Sequence, residues 1–196
     1  MPEATVHEDL RYIREVLTRT QARIDPHAFH FVLWGGLVLV AYPLLNWFEL
    51  GGDLAAMAWT GGVALALGTL GSTIFEMRLS GKPRLEGENT FVAGQVVRIV
   101  FMNVALGVVL TAIGLVPPEA IPLIWGFVYA NMAYMVGVVY MPEYRWSGIV
   151  IAAATLLAWF QADYRGFILG PAMGLGMIVP GVMAERRVAR LRNEAA

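Results

Sequence analysis

A pair of histidines near the start of the chain has the most obvious capacity for chemistry. His27 and His30, in the segment DPHAFH, are three residues apart, so they share a face on a helix, and Asp25 is close to both. A metal ion can use that spacing. The only further candidate ligand is the distant His7, whereas Asp25 and Pro26 are a favoured N-cap and a favoured first helical residue. We therefore expect this segment to start a helix and to bind no metal.

An arginine interrupts an apolar run later in the chain. Arg98 stands within GQVVRIVFMNV, and a helix that enters a membrane near residue 91 would carry it roughly 10 Å inside. An arginine at mid-bilayer costs about 2.5–3.5 kcal/mol on insertion scales, and less off-centre. Glu76, at the end of the preceding apolar run, is a candidate partner. We predict an interior ion pair between Arg98 and Glu76, with snorkelling of the arginine toward the headgroups as the alternative.

Two asparagines extend this polar region. Asn103 lies 14 residues before Pro117 and Asn131 lies 14 residues after it, so a hairpin centred on the proline brings both to a similar depth. A hydrogen bond between them would contribute about 0.6–2 kcal/mol in a membrane. The predicted intramembrane polar cluster comprises Arg98, Glu76, Gln95, Asn103 and Asn131.

Motifs for the common enzyme classes are missing from the sequence. It contains no cysteine, no HExxH, no GxSxG, no P-loop and no GxGxxG. The single lysine, Lys82, falls in a predicted loop and cannot be the buried lysine of a retinal protein, and no histidine falls in mid-span to bind haem. A net charge of −1 gives no sign of a nucleic-acid partner. We expect neither an enzyme nor a bound cofactor.

The elements that must position these residues are membrane helices. Hydrophobic residues make up 58% of the chain, its mean hydropathy is +0.60, and only 15% of its residues are charged, against about 25% in soluble domains. Because a helix needs about 20 apolar residues to cross hydrocarbon, the sequence predicts an all-α integral membrane protein with a six-span bundle. The predicted spans are about 28–48, 54–77, 91–115, 120–140, 147–162 and 166–184. Five spans with one re-entrant segment is the alternative, because the fifth run is short and the sixth is rich in glycine and proline.

The basic residues give this bundle an orientation. Twelve of the fourteen fall on one side of a six-span model and one, Arg165, on the other. By the positive-inside rule, both termini face the cytoplasm of a bacterial inner membrane, where anionic headgroups would meet the basic tail over 185–196. The twelve are Arg11, Arg14, Arg19, Arg23, Arg78, Lys82, Arg84, Arg145, Arg186, Arg187, Arg190 and Arg192.

Residues 1–25 form a separate cytoplasmic segment ahead of the membrane domain, 26–184. Within it, residues 8–24 predict an amphipathic helix, because four apolar side chains share one face. The helix would lie on anionic lipid or pair with a partner helix, and the pattern fits both. The apolar side chains are Leu10, Ile13, Leu17 and Ile24.

Small residues recur at every fourth position in two of the spans and indicate close helix packing or a subunit interface. Span 6 also contains Pro171 and Pro180, which predict either simple bends or a hinged, gating helix. A weak likeness between FVLWGGLVL in span 1 and PLIWGFVYA in span 4 suggests an inverted repeat of three spans. The small residues are Ala56, Thr60, Ala64, Gly68 and Ser72 in span 2, and Gly166, Gly170 and Gly174 in span 6.

Two function classes remain. The first is a non-enzymatic accessory, sensor or scaffold subunit that acts through helix packing and its cytoplasmic helix. The second is a small homo-oligomeric transporter or channel for a neutral or anionic polar solute, with a polar zone around Arg98, Asn103 and Asn131. We favour the first, because most transporters of cations or protons use a mid-membrane acid and none is visible here. The expected partners are the lipid bilayer and either further copies of the chain or a membrane partner protein.

Overall fold

The computed structural model describes residues 28–80, 90–114, 116–139 and 141–194. This part of the chain is helical and contains no strand, which confirms the all-α class. The amphipathic helix predicted over 8–24 lies outside the described residues, as do Asp25 and His27. The six helices are α1 (Ala28–Leu50), α2 (Leu54–Ser80), α3 (Thr90–Ala112), α4 (Ile121–Val139), α5 (Glu143–Phe160) and α6 (Arg165–Glu194). Short 3-10 turns over Pro118–Ala120 and Ala162–Tyr164 precede α4 and α6.

Five of these helices are long and apolar enough to cross a membrane, so the described part has the character of a membrane-embedded helical bundle. The exception is α5, the predicted fifth span, whose 18 residues include Glu143 and Arg145 in the first turn. The stretches that meet the requirement are Ala28–Leu50, Leu54–Arg78, Gly94–Ala112, Pro118–Val139 and Ala162–Arg186.

Short turns with local capping separate several helices. Asp53 caps α2, because its Oδ1 accepts a hydrogen bond from the backbone N–H of Ala56 at 2.9 Å. Gly52 and Gly114 adopt positive φ, 69° and 67°, just after the ends of α1 and α3. Only glycine takes up this conformation at little cost, so these two residues allow each helix to stop and the chain to turn.

The core consists of α1, α4, α5 and α6. Helices α1 and α6 run antiparallel, since Gly174 meets Leu39 and Gly35 while Gly166 lies against Tyr42 and Asn46. Helices α4 and α5 also run antiparallel, in close contact along their length, and α6 packs against both. The largest fully buried side chains come from these helices and the turn before α5: Tyr144, Met141, Ile151, Leu169, Met173, Val136 and Thr155.

Helices α2 and α3 flank this core, each beside a single neighbour. Among the described residues α2 packs only against α1, and α3 packs only against α4. Both contacts place a glycine under an indole ring, Gly68 beneath Trp34 and Gly107 beneath Trp125. Because α2 and α3 do not touch each other in the described part, a cleft lies between them.

The small-residue faces of spans 2 and 6 both lie against α1. Gly68 and Ser72 of α2 contact Trp34, and the three glycines of α6 at positions 166, 170 and 174 lie along α1. The small-residue pattern predicts close contact but does not identify the partner helix or subunit. In the structure both faces contact α1 of the same chain. Span 2 is a flank of the bundle, since its membrane-spanning stretch is only 6% buried.

The helices differ in detail from the predicted spans. Helix α6 runs unbroken through Pro171 and Pro180 to Glu194, so part of the predicted basic tail continues the helix. Helix α2 continues to Ser80, α3 ends at Ala112, and α5 begins at residue 143 rather than 147. Helix pairing does not follow an inverted repeat either, because α5 packs against α6 whereas α2 and α3, their counterparts, do not meet in the described part.

Candidate functional site: interhelical polar contacts and a lateral cleft

A cluster of polar side chains joins α2 to the beginning of α1. His30 Nε2 lies 2.6 Å from Glu76 Oε1, and His30 Nδ1 lies 3.0 Å from Ser72 Oγ. Trp34 Nε1 also donates to Ser72 Oγ, at 3.2 Å. We call His30, Trp34, Ser72 and Glu76 the α1–α2 clamp. With Glu76 ionised, the imidazole donates from Nε2, since a carboxylate can only accept.

Aromatic rings support the clamp on its outer side. Phe75 stacks on Phe29 with ring centroids 4.5 Å apart and meets His30 edge-on at 5.3 Å. The imidazole is therefore held both by its polar partners and by a ring from α2. The sequence pattern around His30, which predicts a helix start in preference to a metal site, gives no indication of its contact with Glu76, 46 residues further along the chain.

The predicted pairing of Glu76 with Arg98 is corrected by these contacts. Glu76 faces His30, and no ion pair joins it to Arg98, although the structure describes both side chains. The physical reason is that α2 and α3 do not pack together, so adjacency in sequence does not bring their side chains into contact. Arg98 is exposed, about 200° around α3 from the buried Val96, and Gln95 is half-buried.

The two asparagines of the predicted cluster are joined. Asn131 Nδ2 donates to Asn103 Oδ1 at 2.7 Å, and Asn103 Nδ2 donates to the Ile99 carbonyl at 2.8 Å. Asn103 is 8% exposed, so its amide is nearly enclosed between α3 and α4. Its donor and its acceptor both have partners, and the pair ties α3 to the core at the depth that the hairpin predicts.

Asn46 was not identified from the sequence, yet it is the most enclosed amide in the described part, at 4% exposure. Its Nδ2 donates to the Asp163 carbonyl at 2.8 Å, and its Oδ1 accepts from the backbone N–H of Gly166. Gly166 lies in the first turn of α6, where backbone N–H groups have no acceptor within the helix. Asn46 therefore supplies a cap for α6 from another helix.

Two arginines satisfy helix-end carbonyl groups. Arg145 Nε donates to the Gly137 carbonyl at 3.0 Å, in the last turn of α4, where a cation also suits the helix dipole. Arg165 donates to the Glu119 carbonyl at the opposite end of the bundle. Arg145 thus joins the consecutive helices α4 and α5, and Arg165 joins the start of α6 to the turn before α4.

The cleft between α2 and α3 has a volume of about 680 Å³. Leu65 and Thr69 form one wall, and Val97, Phe101 and Val104 form part of the other. Trp34 and Trp125 contribute to its floor, with Phe31, Tyr129, Met132 and Met177. His30 lies at its edge, so the α1–α2 clamp borders an otherwise apolar space.

Comparison with known proteins returns no match. No family model matches the chain, and no curated protein or solved structure is significantly similar to it. The function is therefore inferred from the chemistry of the described contacts and of the cleft.

The clamp contains a serine, a histidine and an acid, which are the residue types of the catalytic triad of a serine hydrolase. A serine nucleophile needs backbone N–H or side-chain donors aimed at the developing oxyanion. Ser72 lies inside α2, where the neighbouring backbone N–H groups bond within the helix, and the indole of Trp34 already donates to its hydroxyl. This geometry suits a link between helices better than acyl transfer. The described residues also contain no group of three or more side chains that could hold a metal.

Proposed function

We propose that the protein is a non-enzymatic accessory or scaffold subunit of the membrane. The observation that carries this proposal is that the amides and the clamp within the described bundle join helices to one another. Asn46 bonds α1 to the start of α6, Asn131 bonds α4 to α3, and His30 bonds α1 to α2. Such contacts fix the positions of the helices relative to one another.

The path of α5 supports six spans. Phe31, at the start of α1, and Tyr144, at the start of α5, have ring centroids 4.9 Å apart. Thr155, near the end of α5, lies against Gly126 in the first half of α4. Helix α5 therefore extends from the end where α1 begins toward the end where α4 begins. If α1 and α4 cross the bilayer, α5 lies at the same depth, and its outward face carries exposed apolar side chains such as Ile149, Val150 and Leu156.

The charges support an orientation with both termini in the cytoplasm. One end of the bundle carries Arg78, Arg145 and Arg186. The other end carries Glu49, Asp53, Glu119 and Asp163. An even number of spans returns the chain to its starting side, and the positive-inside rule places the arginine-rich end in the cytoplasm of a bacterial inner membrane.

The transporter alternative has less support. It would place a polar zone around Arg98, Asn103 and Asn131, but Arg98 lies on the outward face of α3 and the two asparagines bond each other. The described cleft is lined mainly by apolar side chains. A neutral or anionic polar solute would lose its hydration there without gaining partners.

Native mass spectrometry of the tagged full-length protein, extracted in mild detergent, tests the proposal. A foreign subunit in fixed stoichiometry is the expected result, and a homo-oligomer free of partners in every preparation would contradict it. Leu17→Gln alters the apolar face of the amphipathic helix predicted over 8–24 and should reduce retention of the partner if that segment makes the contact. Thr18→Gln, one residue away and off that face, is the matched control.

A further inference from the structure

The cleft between α2 and α3 opens sideways, toward the hydrocarbon of the bilayer. Its walls belong to two helices that can each cross a membrane and that do not pack together in the described part. Leu65, Val97 and Phe101 line the cleft although each is more than half exposed. A ligand would therefore enter laterally from the membrane, along an apolar surface.

The size of the cleft limits what can fill it. A methylene group takes up roughly the 30 Å³ of a water molecule, so the space of about 680 Å³ holds on the order of 20 methylenes. A helix of about 20 residues, about 10 Å across and about 30 Å long, occupies roughly three times that volume. The cleft thus has room for one acyl chain, whereas most of the volume of a helix would protrude from it.

The polar edge of the cleft lies at the arginine-rich end of the bundle. His30, at that edge, contacts Glu76, which is two residues before Arg78. Phe31, beside it, packs against Tyr144, which precedes Arg145. A head group placed at this edge would therefore lie at the end of the bundle that carries Arg78 and Arg145, where an anionic phosphate is favoured, although the Glu76 carboxylate also stands there.

We propose that the cleft binds one acyl chain of an anionic phospholipid from the surrounding bilayer, with the head group at the His30 end. The chain occupies the space between Trp34 and Trp125 and packs against Val104 and Leu65. This site would hold a lipid between the two flanking helices and so set their spacing. The proposal goes beyond the scaffold function and does not depend on it, because lipid binding is measured on the purified protein without any partner.

Two tryptophan substitutions on α3 test the site. Val104 lines the cleft and Val109 does not, and the two are about 140° apart around the helix. Val104→Trp fills the cleft, while Val109→Trp adds the same side chain to the opposite, lipid-facing surface. The full-length protein and both variants are delipidated in detergent, mixed with phosphatidylglycerol or with phosphatidylcholine of the same chains, and examined by native mass spectrometry.

The expected result is one retained phosphatidylglycerol on the wild type and on Val109→Trp. Val104→Trp should bind it about tenfold more weakly, and the wild type should bind phosphatidylcholine about tenfold more weakly. Equal binding by Val104→Trp and the wild type would overturn the assignment to the cleft. Equal binding of the two lipids would overturn the anionic head group, and no retained lipid would overturn both.

A second pair of variants on α2 covers the case in which Val104→Trp does not fold. Leu65 lines the cleft and Leu67 faces away from it, and both are more than half exposed, so neither replacement disturbs the core. Leu65→Trp should lose the bound phosphatidylglycerol and Leu67→Trp should keep it. Retention by both variants would contradict the proposed site on this wall as well.

Discussion

Asn46 joins α1 to the start of α6 through two hydrogen bonds of one amide. Its amide both donates to and accepts from the backbone around the start of α6, and the side chain is almost fully enclosed. Where water is excluded, the backbone N–H of Gly166 would have no acceptor without it. The bond therefore matters more for what its loss leaves unpaired than for its own strength.

Asn46→Ala should destabilise the protein by about 1–3 kcal/mol, because it leaves that N–H without an acceptor. The measurement is the midpoint of thermal unfolding in detergent. Gln161→Ala, an exposed amide near the same end of the bundle, is the control and should leave the midpoint unchanged. An unchanged midpoint for Asn46→Ala would mean that solvent or lipid substitutes for the amide.

The α1–α2 clamp and Arg98 should respond differently to the same type of substitution. His30→Leu removes the contacts to Glu76 and Ser72 and leaves a carboxylate without its imidazole, so the unfolding midpoint should fall. Arg98→Leu, on an exposed face of α3, should change stability by no more than about 0.5 kcal/mol. A larger loss for Arg98→Leu than for His30→Leu would restore the interior role that the sequence predicts for Arg98.

These residues also show which polar contacts a sequence can predict. The bond between Asn103 and Asn131 follows from their equal distance to the turn at Pro117, because α3 and α4 do form a packed hairpin. Glu76 and Arg98 also lie on helices that are adjacent in sequence, but they do not meet, because α2 and α3 do not pack together. The sequence gives no indication of the contacts that Asn46 makes, since its partners are backbone groups more than 100 residues away.

At the scale of helices, glycine decides how closely α1 and α6 approach. A Cβ added at Gly35 would lie 2.8 Å from the carbonyl oxygen of Gly174, and backbone atoms cannot move aside as a flexible side chain can. The adjacent Gly36 has nothing within 4 Å of the same position. Gly35 therefore has no room for a side chain, whereas the neighbouring Gly36 has.

Gly35→Ala should force α1 and α6 apart and lower the unfolding midpoint, because its methyl group overlaps the opposite backbone. Gly36→Ala should be neutral or stabilising, by up to about 1 kcal/mol, since alanine is the better helix former. The comparison uses the same detergent unfolding assay for both variants. Equal effects of the two substitutions would contradict the close approach of these helices.

The sequence predicts which helix faces are closely packed, but it does not identify the partner. Gly166, Gly170 and Gly174 form an evident small-residue stripe, and so do Gly68 and Ser72 with their neighbours. Both stripes lie against α1, whose own small residues, Ala28, Gly35, Gly36 and Ala41, do not recur at every fourth position. In a bilayer every outward face is apolar, so hydrophobicity alone cannot show which faces meet.

At the scale of the whole molecule, whether α5 crosses the membrane decides if the number of spans is odd or even, and so on which side of the membrane α6 ends. The composition of α5 keeps it apart from the five candidate spans, because Glu143 and Arg145 lower its apolar character. Its face toward α4 and α6, however, buries the polar Thr155, whereas its outward face carries Ile149, Val150 and Leu156, each about half exposed, so the helix presents an apolar surface to a bilayer. We therefore propose that α5 is a sixth span, although its composition keeps it apart from the five candidates.

Cysteine accessibility tests this topology directly, because the chain contains no cysteine of its own. Pro142→Cys and Gln161→Cys replace exposed residues on either side of α5, one at each end of the helix. If α5 crosses the membrane, a membrane-impermeant maleimide added to intact cells should label residue 161 and not residue 142. Asp53→Cys, between α1 and α2, should label from outside like residue 161, and it calibrates the assay.

The same labelling distinguishes the remaining arrangements. Equal labelling at 142 and 161 would make α5 a re-entrant or peripheral helix, and an odd number of spans would then move the arginine-rich end of α6 across the membrane. Labelling of 142 from outside with 161 protected would keep α5 as a span and invert the whole bundle. That inversion would conflict with the distribution of arginines, because four of them follow Ala184 and would have to be translocated.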